Sequence, residues 1–266
     1  METRLGFKRE LNAIITILMR GIIVAIKSPA TLIMSLAMPL IMMGMIGGNL
    51  SENMAGGLTF DYGQFMLIGM LINMLFMMTS QGLTSLVEDR ETNFTQEILV
   101  APVSRYSIII GTIFGSSFSA ILSSIGTLLV GLLMGIHLSL GQLLWILALS
   151  PLMCLAAGSF AVLLIGSIKS RTASNMAVSL ISMPQMFLSG AIIPISQSSG
   201  ILYVLSRLMP MTYCLDLVRA VVYRGTEEYS RVVLFNPVVN FIAILILTTV
   251  FLIIGTYLYV KSERSR

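Results

Sequence analysis

Charged residues make up only 11% of the 266 residues, where a soluble domain carries about 25%. Hydrophobic residues reach 56%, and mean hydropathy is +0.93. A chain this poor in charge lacks the polar shell of a water-soluble fold and reads as an all-α integral membrane protein. The 16 basic and 12 acidic positions leave five uncharged stretches, at 28–51, 62–87, 106–168, 172–206 and 232–260. Crossing about 30 Å of hydrocarbon takes roughly 20 residues at about 1.5 Å each. Each stretch holds one span, and 106–168 holds two, folding back at Gly135–Gly141. Six spans are expected, near 29–48, 63–86, 106–134, 142–168, 172–191 and 237–260. No polar stretch is long enough for a soluble catalytic domain.

Histidine occurs once, at His137, and cysteine twice, at Cys154 and Cys214. One histidine cannot build a multi-histidine metal centre, and two cysteines make no disulfide framework. The lysines Lys8, Lys27, Lys169 and Lys261 never follow a glycine, so the Walker A loop that cradles phosphates is missing. No expected span carries the buried carboxylate or base that proton- and sodium-coupled carriers commonly use. These gaps argue against an enzyme, against a cofactor or metal held by this chain, and against a built-in ATPase.

The basic residues that remain are unevenly placed. Twelve of the 16 fall before the first span, after the second and fourth, or in the tail. The positive-inside rule puts both termini in the cytoplasm of a plasma-membrane protein, with the lipid bilayer as its main surroundings and no nucleic-acid partner.

Within 1–28, Arg4, Lys8, Asn12, Thr16 and Arg20 form a polar stripe at every fourth residue, with bulky apolar residues around it. This is the pattern of an amphipathic helix in the interface plane. The six-span domain follows at 29–260, and 261–266 is a tail. The third span repeats a small residue every four positions from Gly111 through Gly115 and Ser119 to Gly135, the spacing of close helix packing in lipid. Methionines stripe the first two spans, a pattern that usually means packing and that also suits an adaptable apolar surface. Between 192 and 231, apolar helical segments interrupted by Pro194, Gly200 and Pro210 suit short helices dipping into the outer leaflet. Asp216 and Arg219 share a helix face there at a three-residue spacing, which points to a local ion pair.

The loop after the second span continues that helix with charge: Glu88-Asp89-Arg90-Glu91, then an apolar patch of Phe94, Ile98 and Leu99, then Pro102. Asp89-Arg90-Glu91 followed by Gln96-Glu97-Ile98-Leu99-Val100-Ala101-Pro102-Val103-Ser104-Arg105 resembles the signature loop of type-2 ABC transporter permeases of the export branch. The resemblance continues at Pro184 and Phe187–Pro194, and at Met209–Tyr213 with Asp216 and Arg219 after it. It departs at Asn93-Phe94, where that family often has Gly-Thr.

The resemblance implies a six-span permease that pairs with a second permease chain, a homodimer, above two copies of an ABC ATP-binding subunit that holds ATP and magnesium. Glu88, Asp89, Arg90, Glu91, Phe94, Glu97, Leu99, Pro102 and Arg105 would form the coupling element seated on that ATPase. The first and fifth spans would line the path, with Met34, Met38, Met42, Met45, Met183 and Phe187 on it. Pro210, Asp216 and Arg219 would belong to outer re-entrant helices. Aromatic residues, expected along a glycan path, are absent from 29–48, and Phe187 stands alone in 172–191. That favours an apolar or amphipathic cargo such as a drug, antibiotic or lipid. The alternative is a six-span channel or ion-coupled carrier with no ATPase.

Overall fold

The computed structural model describes residues 2–44, 60–91, 104–195 and 200–264. Among them the chain forms helices and no strand: α1 Glu2–Lys27, α2 Pro29–Met42, α3 Tyr62–Leu83, α4 Ser85–Glu91, α5 Arg105–Leu133, α6 Leu140–Ile165, α7 Arg171–Leu188, α8 Gly200–Leu208, α9 Pro210–Val222, α10 Tyr229–Val232 and α11 Pro237–Arg264. The starts are chemically marked. Pro29 and Pro210 open their helices, where a missing N–H leaves nothing unsatisfied. The Asp61 carboxylate accepts from the N–H groups of Gly63 and Gln64, capping α3. Ser139 and Gln142 cap α6 reciprocally, and Gln142 also donates to the carbonyl of Val222 in α9 at 2.8 Å. The expected turn between α5 and α6 is present, with Gly135 at φ +82°.

Among the described residues, four helical segments are long and apolar enough to cross a membrane: Tyr62–Glu91, Arg105–Leu133, Leu140–Ile165 and Tyr229–Ser262. The pair α8–α9, bent by 82° at Met209, makes a fifth if it counts as one broken span. The described residues thus give four or five spans where six are expected. In the first expected span, α2 covers 14 residues, and 45–59 lie outside the described residues. In the fifth, α7 has 18 residues and intersperses Ser174, Asn175, Ser179, Ser182 and Gln185 among its apolar ones. It is too polar to be bathed in lipid on every side.

α3 lies at the centre, buried on nearly every side, while α11 packs on α6 and α9 and leaves most of its surface exposed. Large apolar side chains point outward all round, including Leu133, Leu144, Leu180, Ile201 and Ile246. In water so much exposed apolar surface would drive association; against acyl chains it costs nothing.

Glu10 meets Ser104, Ile14 and Ile17 meet Gly111, and Gly21 meets Gly115, so α1 runs beside α5 in the same direction. α5 is a membrane-crossing candidate, and α1 runs parallel to it over 10–21. Glycine makes the contact possible, since a Cβ at Gly21 would lie 2.5 Å from the Gly115 Cα. The small-residue stripe of α5 is thus a packing seam. Its first members face α1, and Gly131 faces Leu67 of α3.

Candidate functional site

The charged group 88–91 occupies α4, which continues α3 past a break at Thr84. There the Thr84 hydroxyl donates to the Gln81 carbonyl at 2.7 Å and that of Ser85 to the Gly82 carbonyl at 2.8 Å. Such back-bonding competes with the helix ladder and bends it.

Each of the four charges then reaches another part of the chain. Asp89 receives both terminal nitrogens of Arg20 in α1, each at 2.8 Å. The fork geometry is the strong form of a guanidinium–carboxylate pair. It raises the Arg20 pKa above its ordinary value against the opposing effect of burial. Glu88 pairs with the Arg171 guanidinium at the start of α7, and Glu91 accepts from the Arg171 backbone N–H at 2.9 Å. Arg90 is buried, donates to the Tyr259 carbonyl of α11 at 3.0 Å and lies 3.4 Å above the Tyr259 ring. The four residues of α4 therefore tie together α1, α7 and α11. An exposed pair contributes only about 0.2–1 kcal/mol, so the set positions these helices more than it stabilises them.

Arg105 begins α5 and is half-buried. Just before it, the Ser104 N–H donates to both oxygens of Glu10, at 3.0 and 3.1 Å. Residues 92–103 lie outside the described residues, Phe94, Glu97, Leu99 and Pro102 among them. Both flanks of that stretch, at 89 and 104, are held by α1 through Arg20 and Glu10.

Above the ion pairs is an open cavity of about 370 Å³, lined by α1, α3, α4, α5 and the start of α7. Arg20, Asp89, Glu88 and Arg171 stand at its charged end, and Met78 and Ser119 line it further up.

At the opposite end of the bundle the expected Asp216–Arg219 ion pair is not formed, although both residues are described and buried. Asp216 instead accepts from the N–H groups of Leu234 and Phe235, at 2.7 and 2.9 Å, and from the Asn240 side-chain amide at 2.7 Å. It caps the turn leading into α11. Arg219 donates to the Gly190 carbonyl at 2.9 Å and lies 3.5 Å above the Phe65 ring. Shared spacing on a helix face did not bring the two together because each side chain leaves α9 towards a different neighbour. Pro210 opens α9 at the 82° bend between α8 and α9.

Met42 is half-buried against the core, and Met183 and Phe187 are exposed on α7 with Met176 and Leu180, one face at helical spacing. Met45 and the side chains of Met34 and Met38 lie outside the described residues. Sequence reasoning missed Glu10, Arg20, Arg171 and Tyr259 as partners. Arg20 stood out only as one member of a polar stripe, and a contact across 69 residues leaves no local spacing to read.

A helical membrane bundle with a charged junction at one end and a bent pair at the other narrows the family, and the sequence profile that matches residues 12–223 is described as ABC-2 type transporter. The chain belongs to the ABC-2 type transporter family. A Cyanophora paradoxa chain bearing the name transport permease ycf38 is 26% identical over 249 residues, covering 90% of this chain and 84% of its own length. The profile takes in the α4 junction and the bent pair, but stops at Tyr223, before the α11 segment that holds Asp216 and Arg90 in place. As an ABC-2 permease the chain is a membrane component of a transport system, in a family that typically works with an ATP-binding subunit.

Proposed function

We propose that this ABC-2 permease is the membrane half of an ATP-driven exporter that carries an apolar or amphipathic cargo out of the cell. Two copies pair above two separate ATP-binding subunits, with both termini and the α4 junction on the cytoplasmic side of the plasma membrane. The ATPase seats against 88–105.

One observation carries this reading: α4 is bonded to α1, α7 and α11 at once. A push on 92–103 enters the bundle at a point connected to three helices, as an energy-coupling element requires. The exposed Met176, Leu180, Met183 and Phe187 face supports the cargo class, since it offers flexible apolar contact without stacked aromatic rings. The polar residues of α7 suit a helix beside a water-containing path at the junction of two chains.

The test is co-reconstitution with the ATP-binding subunit that purifies with this chain, following ATP-dependent movement of a fluorescent phosphatidylcholine across the proteoliposome bilayer. Asp89→Arg, which sets two guanidinium groups against each other, is expected to lower the rate at least tenfold without reducing the amount of complex. Combining it with Arg20→Asp should return the rate to within about threefold of the parent. Full transport by Asp89→Arg alone, or movement independent of ATP, would reject the reading.

A further inference from the structure

We propose that the cavity between α1, α3, α4 and α5 is a loading site for an amphiphile with a neutral or zwitterionic polar head. This rests on the amphipathic-cargo reading above and names the place where such a cargo is first held. The charged end of the cavity is balanced, with Arg20 paired to Asp89 and Arg171 to Glu88. A strongly anionic or cationic head would have to break one of these pairs, whereas a head carrying both signs, or hydroxyls alone, can lie against them.

The wall along α5 supplies hydroxyls from Thr112, Ser116 and Ser119, and Gln81 adds a side-chain amide from α3. Those of Thr112 and Ser116 donate to their own helix carbonyls, which leaves their oxygens able to accept from a guest. Ile17, Val24 and Met78 make the opposite side apolar. Val24 also lines the rim and is 57% exposed, so a tail can leave the cavity along α1. From Asp89 to Met78 the site rises about 16 Å along the helix axis. At about 370 Å³ the site sits near the small end of the roughly 300–1,000 Å³ range of small-molecule pockets. It takes a head and the first carbons of a tail, not a whole lipid.

Because Glu88 and Asp89 belong both to the cavity and to α4, an occupant touches the ion pairs that position the junction. Occupancy and coupling share the same side chains.

The experiment uses the full chain in lipid nanodiscs with a phosphatidylcholine carrying a diazirine on the carbons next to its head. Phosphatidylglycerol with the same label serves as the anionic comparison, and labelled peptides are read by mass spectrometry. Label is expected on 14–28 and 78–85, at least threefold more from phosphatidylcholine. Ser119→Phe, which fills the cavity from α5, should cut that label at least fivefold with an unchanged melting temperature; Ser119→Leu replaces it if the larger variant does not fold. Glycerophosphocholine, the head without tails, should compete little. Equal label from both lipids, label unaffected by filling, or loss of label to the free head group would each overturn the proposal. Labelling that persists in a chain without ATP-dependent transport would sink the export reading and leave the site; transport without cavity label would do the reverse.

Discussion

Exchanging the charges at positions 216 and 219 is expected to destroy the folded protein. Had the two formed an ion pair, Asp216→Arg with Arg219→Asp would have kept it. Each instead has its own cradle: three N–H donors for Asp216, and a carbonyl with an aromatic face for Arg219. The change Arg219→Asp would put a carboxylate against the Gly190 carbonyl, and Asp216→Arg would point a cation at three donors. Breaking one buried partnership of this kind costs about 3–5 kcal/mol, because an uncompensated charge or donor set stays behind. Neither change restores the partners lost by the other, so the double variant should be no more stable than the worse single one. Asp216→Asn keeps an acceptor oxygen for part of the donor set and should be the mildest change. Size-exclusion profiles and melting temperatures of the three single variants and the double variant check this. A double variant more stable than either single one would show that the two residues interact directly after all.

The second large effect is expected at Gly21. A side chain there meets the Gly115 backbone at 2.5–2.8 Å, and backbone cannot swing aside as a flexible side chain can. Gly21→Leu should push α1 off α5, which separates Arg20 from Asp89 and Glu10 from Ser104. Overpacking usually costs about 1–3 kcal/mol when the structure can shift, and here α1 is the part free to move. Hydrogen exchange at 10–21 should accelerate by at least tenfold while α3 keeps its protection. Gly115→Ala should do much less, because its added carbon meets α1 only at 3.3 Å. Unchanged exchange at 10–21 in Gly21→Leu would mean that α1 is held elsewhere.

The spans were legible because hydrocarbon excludes charge, so charge-free length alone locates a crossing helix. Expected boundaries at 106–134, 142–168 and 237–260 fall within about four residues of α5, α6 and α11. The turn at Gly135 and the bend at Pro210 were legible too, since both rest on local backbone chemistry. α7 falls short of the apolarity of the other expected spans because lack of charge does not measure the polarity of Ser, Asn and Gln. The packing of α1 on α5 was not legible, because amphipathic periodicity shows that a helix has two faces, not which neighbour covers one of them. Gly111 and Gly115 carried that information from the other side, since a small-residue stripe needs a partner backbone. The charged residues of 88–91 were found as a group, but their bonds to Arg20, Arg171 and Tyr259 span 69 to 169 residues and depend on the assembled bundle.

The central claim is that the segment following α4 is where an ATP-binding subunit pushes. Phe94→benzoylphenylalanine, irradiated in the complex purified from membranes, tests it directly, with Leu138→benzoylphenylalanine in the α5–α6 turn as the control at the other end of the bundle. Crosslinking of the ATP-binding subunit from position 94 and not from 138 is the predicted result; a crosslink from 138, or none from 94 in an intact complex, would contradict the account.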